Sequence, residues 1–218
     1  THEFDCFDTV YIGGGTPSIL PVQSIADILT AVGRNYTILP EPEITVEVNP
    51  GDAESAYLES LRLSGVNRIN IGIQSFDDRL LRFLGRRHDR RQAVAAIENA
   101  FAAGFDNIGL DLIYGIPGQT LGLWRETLAL ALAFGPHHLS CYQLTLEADT
   151  PLGQQAADSL FELPGEGAQA EFFFATADFL EKAGYIHYEV SNFARSASLF
   201  SRHNQKYWQH QPYLGLGP

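Results

Sequence analysis

The sequence contains no methionine, two cysteines, and no apolar run near the ~20 residues that a membrane-spanning helix requires. Basic residues are also scarce, because 14 Lys and Arg stand against 26 Asp and Glu, for a formal net charge of −12. This excess of acid disfavours nonspecific attraction to nucleic acid or to an anionic membrane surface. The first residues show no basic segment leading into an apolar one, so we predict a cytoplasmic protein.

The two cysteines lie far apart in the chain. Cys141 falls within a strand-like run, His138–Tyr142, where a buried free thiol is expected, so we predict no disulfide with Cys6. The missing methionine leaves no initiator, and the chain closes on a glycine-rich turn, Leu214–Pro218. We therefore expect a fragment of a longer protein.

The most informative segment is a strand-like run, Thr9–Ile12, that breaks into the glycines Gly13–Gly15. Glycine has no Cβ, so a ligand can approach its amide closely and its φ can be positive. The same pattern also fits a simple turn. Four later strand-like runs end at polar residues, and parallel strands would bring these ends to one edge of a sheet. The residues expected at that edge are Gly14, Glu47, Gln74 and Asp111.

Strand and helix patterns alternate along the first two thirds of the chain. The spacing of the strands, roughly 25 to 40 residues, suits repeated βα units. We predict five such units, arranged as a barrel or as a doubly wound sheet, with a ligand at the carboxyl ends of the strands. These ends fall near Ile12, Val48, Ile73, Leu112 and Leu144.

The pattern changes after Thr150. Residues Pro151–Gly167 are rich in proline, glycine and acids and are predicted to form a loop. A helix is predicted over Ala168–Ala183 and an alternating strand over Tyr185–Val190. The adjacent phenylalanines within this helix are expected to pack in the core.

Several motifs occur in an order and at a spacing that match one known family. They are YIGGGTPS at Tyr11–Ser18, EVNP at Glu47–Pro50, GIQSF at Gly72–Phe76, LGR with a nearby histidine at Leu84–His88, and DLIYGIPGQT at Asp111–Thr120. This set resembles the radical S-adenosylmethionine (SAM) enzymes related to oxygen-independent coproporphyrinogen III oxidase. The closing segment His203–Trp208 is similar to the HNxxYW signature of the haem-chaperone branch of that family, HemW.

The resemblance implies an α/β fold, a partial (β/α)6 barrel of the TIM-like, radical SAM type. Its first βα unit is expected to be missing here. Residues 1–150 would form the truncated barrel, and residues 151–218 would supply the last barrel helix and strand and the start of the C-terminal haem-chaperone region.

The family resemblance also implies a SAM site across the strand ends. The residues it assigns to SAM are Gly14, Gly15, Thr16, Glu47, Gln74, Arg86 and Asp111. Their chemistry is suitable, because Glu47 suits an ammonium and Arg86 suits a carboxylate by bidentate pairing. Taken without the family, Arg86 fits a surface basic cluster and Asp111 fits an acid at a strand end.

A radical SAM protein holds a 4Fe-4S cluster through three closely spaced cysteines, and this chain has no such triplet. In the family the triplet precedes the glycine strand, so we expect the cluster ligands upstream of Thr1. We predict no metal site in the chain itself and no catalytic residue for radical chemistry.

The HNxxYW resemblance implies that haem is bound by His203, Asn204, Tyr207 and Trp208. A histidine beside Asn and Tyr also fits a capping or hydrogen-bonding role, since Ser201 and Asn204 are residue types that start helices. Because His203 lies far along the chain from the barrel motifs, we expect its loss to leave the SAM site intact.

Three alternative functions are consistent with these patterns. The first is a haem chaperone that delivers haem to a haem protein, whose identity the sequence does not give. The second is an oxidase that decarboxylates coproporphyrinogen III propionates. The third is a barrel that binds a nucleotide-like ligand without redox chemistry.

Overall fold

A computed structural model describes residues 6 to 217. One seven-stranded sheet organises this part of the chain, with the strand order β1-β2-β3-β4-β5-β7-β6. The strands are β1 Phe7–Ile12, β2 Ile38–Val48, β3 Arg68–Gln74, β4 Ile108–Tyr114, β5 His138–Gln143, β6 Ile186–Glu189 and β7 Asn192–Ala194. The first five are parallel neighbours, and β7 and β6 join the far edge as an antiparallel pair.

In residues 6–217 five helices connect the parallel strands, as the alternating sequence pattern predicts, and three more follow the last parallel strand. They are α1 Val22–Asn35, α2 Ser55–Leu63, α3 Asp78–Phe83, α4 Arg90–Ala102, α5 Leu121–Ala133, α6 Pro151–Ala157, α7 Glu166–Lys182 and α8 Arg202–Trp208. Between residues 6 and 217, none of these helices is long and apolar enough to cross a membrane.

The two faces of the sheet differ in chemistry because side chains alternate along each strand. On β3, Ile69, Ile71 and Ile73 are fully buried in the main hydrophobic core with residues of the connecting helices. The residues that alternate with them, such as Arg68 and Asn70, face the other side of the sheet. The sheet thus has an apolar outer face under helices and a polar inner face. This arrangement is a half-barrel, and it excludes a doubly wound sheet, in which helices cover both faces.

In the last third of the chain, one prediction needs correction and one is confirmed. The predicted loop Pro151–Gly167 contains α6, which begins at Pro151 and is capped by the Thr150 hydroxyl, 3.1 Å from the Gly153 amide. A cap followed by proline at the first position is a helix start, and the proline-rich composition hid it. The predicted strand at Tyr185–Val190 is β6, an antiparallel edge strand that pairs with β7.

Candidate functional site

The ends of β1 and β2 are joined by the carboxylate of Glu47. The Tyr11 hydroxyl donates to Glu47 Oε1 at 2.6 Å, and the Gly14 amide donates to Glu47 Oε2 at 3.2 Å. Burial, followed by the charge of Glu47, raises the pKa of Tyr11, so its hydroxyl stays protonated. The Gly14 amide therefore faces a side chain of the protein, although the sequence suggests an amide open to a ligand.

The glycine turn combines two geometries. Gly14 and Gly15 have φ values of +81° and +57°, which only glycine adopts readily, and nothing lies within 4 Å of where their Cβ atoms would be. Gly13 is different, since its Cβ would lie 2.5 Å from Tyr11 Cε1 and 3.0 Å from the Glu47 carboxylate. Thr16 follows the turn and accepts a backbone hydrogen bond from Ile19.

A second glycine, Gly72, makes room for Arg86 and Gln74 by having no Cβ. A Cβ on Gly72 would lie 3.0 Å from Gln74 Nε2 and 3.2 Å from Arg86 Nη2. Arg86 donates weakly to the Gly72 carbonyl at 3.4 Å, and its buried Nε has no hydrogen-bond partner. Gln74 has a φ of +63°, a strained value for a residue with a side chain. A buried donor without a partner and a strained backbone are features that cluster at ligand sites in proteins.

Asp111 lies on the inner face of β4, in register with Ser140 of β5. Burial raises the pKa of Asp111 to about 6, and the negative charge of Glu47 adds to the effect, while a hydrogen bond with Ser140 and the charges of Arg68 and Arg86 oppose it. The interactions with Glu47 and Arg86 place Asp111 in the same group of charges.

The predicted residues at the strand ends are therefore brought together by the fold. Glu47 offers a carboxylate for a cation, Arg86 offers an unpartnered donor for a carboxylate, and Asp111 and Gln74 offer hydrogen-bond groups. Such a set fits the ammonium, carboxylate and ribose of SAM. Only the positions are established by the fold; the binding role of each residue remains a prediction.

The helix with the histidine, α8, lies against the inner face of the same barrel. His203 Nδ1 is 3.0 Å from the Thr9 hydroxyl, and its ring stacks on Tyr11 with centroids 4.9 Å apart. The Glu43 carboxylate accepts from the backbone amides of His203 and Arg202 at 2.9 and 3.1 Å. Although His203 is distant from the strand-end residues along the chain, in the structure Tyr11 contacts both His203 and Glu47.

A sequence profile of the radical SAM superfamily matches residues 2–131. The chain belongs to the radical SAM superfamily. It is 40% identical over 216 residues to the heme chaperone HemW of Synechocystis sp., covering 99% of this chain and 52% of that protein. It is 38% identical to the mitochondrial radical S-adenosyl methionine domain-containing protein 1 of Danio rerio, covering 96% and 47%.

Among solved structures, the chain is similar to coproporphyrinogen III oxidase (HemN) from Escherichia coli, with a TM-score of 0.80 and 27% identity. The match covers 91% of this chain and 46% of that one. The chain thus spans about half the length of the relatives it matches.

The radical SAM cluster has no ligand set in the described part of the chain. Cys6 is exposed before β1, whereas Cys141 is buried on the outer face of β5, and both are free thiols. Burial raises the pKa of Cys141, which disfavours the thiolate that binds iron. Across residues 6–217 no group of three His, Cys, Asp or Glu side chains is placed to hold a metal.

The four residues predicted to bind haem do not share one surface. Tyr207 packs edge-on against His203 at 5.2 Å, whereas Trp208 packs against Tyr188 at 5.9 Å. Asn204 receives the helix cap, its amide lying 3.3 Å from the Ser201 hydroxyl. The capping expectation therefore applies to Ser201 and Asn204, and His203 is left with its ring against β1.

A cavity of about 730 Å³ lies beside β1 and α8, within the usual size range of small-molecule sites. Its walls include His203, Lys206 and Tyr207, together with Tyr213 of the following segment. Sequence reasoning missed Lys206 and Tyr213, and it missed Thr9 and Glu43 as partners of His203. The alternation of polar residues in β1 and β2 was the available signal.

Proposed function

We propose that this chain is the SAM-binding and haem-binding part of a haem chaperone. The observation that carries the proposal is His203, which the barrel wall holds at a cavity with its Nε2 free of hydrogen bonds to the described residues. The similarity to HemW proteins supports the same function. The cytoplasmic location and delivery to a separate haem protein stay part of the proposal.

His203 has the chemistry of an axial haem ligand. When Nδ1 carries the proton and donates to Thr9, Nε2 holds the lone pair that iron requires. Burial lowers the pKa of His203, although Glu43 opposes this, so the imidazole is neutral at pH 7. Tyr207 and Tyr213, whose ring centroids are 4.4 Å apart, add aromatic surface suited to a porphyrin.

SAM would bind at the strand ends, with its ammonium on Glu47 and its carboxylate on Arg86. Asp111 and Gln74 would bind its ribose hydroxyls. Bound to a 4Fe-4S cluster, SAM is the radical source of this superfamily. Because the described residues lack ligands for the cluster, no step of radical chemistry is assigned to them.

Haemin titration of His203→Ala tests the haem assignment. We expect at least a tenfold weaker affinity and an altered Soret band, because an axial ligand is lost. The control is His187→Gln, since His187 lies on β6 with its Nε2 3.1 Å from the Val190 carbonyl, a bond that glutamine can make. Equal haemin affinity and spectra in the unmodified protein and in both variants would contradict the assignment of His203 as a haem ligand.

The second candidate function is decarboxylation of coproporphyrinogen III, favoured by the similarity to HemN. It predicts turnover of coproporphyrinogen III by the full-length, cluster-loaded protein with SAM under anaerobic, reducing conditions. We expect haem binding without this turnover. Rapid decarboxylation that is insensitive to His203→Ala would replace the chaperone proposal.

A further inference from the structure

Tyr11 contacts both candidate sites at once. Its hydroxyl donates to Glu47 at 2.6 Å, on the side proposed for SAM. Its ring stacks on His203, on the side proposed for haem, with planes 22° apart and centroids 4.9 Å apart. One side chain of β1 therefore touches the cation-binding group of one site and the iron-binding group of the other.

The position of Tyr11 depends on its two partners, Glu47 and His203. Gly13 leaves no room for a Cβ because Tyr11 Cε1 would lie 2.5 Å away from it. Across the ring, His203 is held by the Thr9 hydroxyl and by the Glu43 carboxylate on its backbone amide. A shift of Tyr11 therefore disturbs Glu47 or His203, and an ordered Glu47 or His203 restricts Tyr11.

We infer that Tyr11 is a positioning residue that couples the two sites, so that SAM on Glu47 and haem on His203 each strengthen binding of the other. The inference rests on the proposed function. Both ligands need Tyr11 in one position, since its hydroxyl orients Glu47 and its ring supports His203. The ligand that binds first orders Tyr11, so the second ligand loses less conformational entropy.

Thermodynamic linkage makes the coupling measurable in both directions, because each ligand must change the affinity of the other by one common factor. The cluster-loaded, full-length protein is titrated with haemin in the absence and presence of saturating SAM, without reductant. SAM is then titrated in the absence and presence of haemin. We expect each Kd to fall about fivefold in the presence of the other ligand.

Tyr11→Phe isolates the coupling, because it keeps the ring and removes the hydroxyl that reaches Glu47. The ratio of the haemin Kd without SAM to the haemin Kd with SAM should fall to about 1 in this variant. This holds whether or not the haemin affinity itself changes. The matched control is Tyr57→Phe on α2, which removes a buried hydroxyl with no hydrogen-bond partner and lies in neither site. This control should keep the fivefold ratio.

The outcomes separate the two proposals. Binding of both ligands with no mutual effect, or coupling that survives in Tyr11→Phe, overturns the inference and leaves the proposed function standing. Failure of the unmodified protein to bind haemin or SAM overturns both. A fivefold ratio in the unmodified protein and in Tyr57→Phe, lost in Tyr11→Phe, supports the inference.

Discussion

At the scale of single residues, glycines on the inner face make room for the side chains of neighbouring residues. Gly72 lies under the ends of Gln74 and Arg86, and Gly13 lies under Tyr11 and Glu47. Neither glycine has a positive φ, so their contribution is the absent Cβ. This differs from Gly14 and Gly15, whose φ values require glycine. At Gly13 and Gly72 the missing Cβ therefore leaves the space that the neighbouring side chains occupy.

Arg86→Ala is expected to weaken SAM binding, because it removes the donor for the SAM carboxylate. A hydrogen bond to a charged group contributes about 1.5 to 3 kcal/mol, which corresponds to a loss of roughly 10- to 100-fold in affinity. Isothermal titration of the cluster-loaded, full-length protein measures the effect.

The adjacent Arg87 provides the matched control for this measurement. Arg87 forms an exposed ion pair with Asp52 at 3.1 Å, so Arg87→Ala should change SAM affinity little. If Arg86→Ala and Arg87→Ala bound SAM equally well, Arg86 would belong to the surface basic cluster and not to the site.

At the scale of secondary structure, α8 is docked on the barrel by a buried carboxylate. Glu43 is 5% exposed and accepts the first two backbone amides of the helix. A carboxylate at a helix N-terminus is favourable because the free amides and the helix dipole face it. On the exposed side, Asp8 pairs with Arg202 and Lys206. The position of His203 therefore depends mainly on Glu43.

Glu43→Ala is expected to release α8 from the barrel. Two charge-assisted hydrogen bonds are lost, at a cost to stability of roughly 2 to 3 kcal/mol. Asp8→Ala should cost less than about 1 kcal/mol, because its ion pairs are partly exposed. Hydrogen exchange of residues 202–208 and urea unfolding distinguish the two. Equal protection of α8 in both variants would show that Glu43 does not dock the helix.

At the scale of the whole molecule, one sheet separates the core from the candidate sites. Its outer face joins the helices in the main hydrophobic core, which includes residues from both sides of position 150, such as Leu110 and Phe172. Its inner face collects charged and polar groups, some fully buried, such as Arg68. Stability and ligand binding therefore depend on opposite faces of the same strands.

The chain is expected to form no stoichiometric 4Fe-4S cluster after anaerobic reconstitution with iron and sulfide. Its two cysteines lie on β5 and ahead of β1, strands that are separated by three others in the sheet. Iron and sulfide analysis with visible absorbance measures the result, and a double variant, Cys6→Ser with Cys141→Ala, gives the background. One cluster per chain above that background would contradict the prediction and show that Cys6 or Cys141 binds iron.

Much of the fold was predictable from local patterns. The five parallel strands and their helices follow from alternating apolar periodicity, which depends on neighbouring residues alone. The ordered motifs predicted the superfamily, which the profile confirms. The helix α6 was missed because proline and glycine signal turns and helix starts alike.

The sequence by itself determined the five parallel strands and predicted that their ends would gather Glu47, Gln74 and Asp111. The tertiary structure alone decided that His203 lies on the same barrel wall, against Thr9 and Tyr11. The physical reason is that periodicity fixes the face of a strand from which a side chain projects, whereas the docking of a distant helix depends on contacts such as those of Glu43. The alternation of polar residues in β1 and β2 indicates that Thr9 and Glu43 face inward, but no local pattern shows which distant helix meets them.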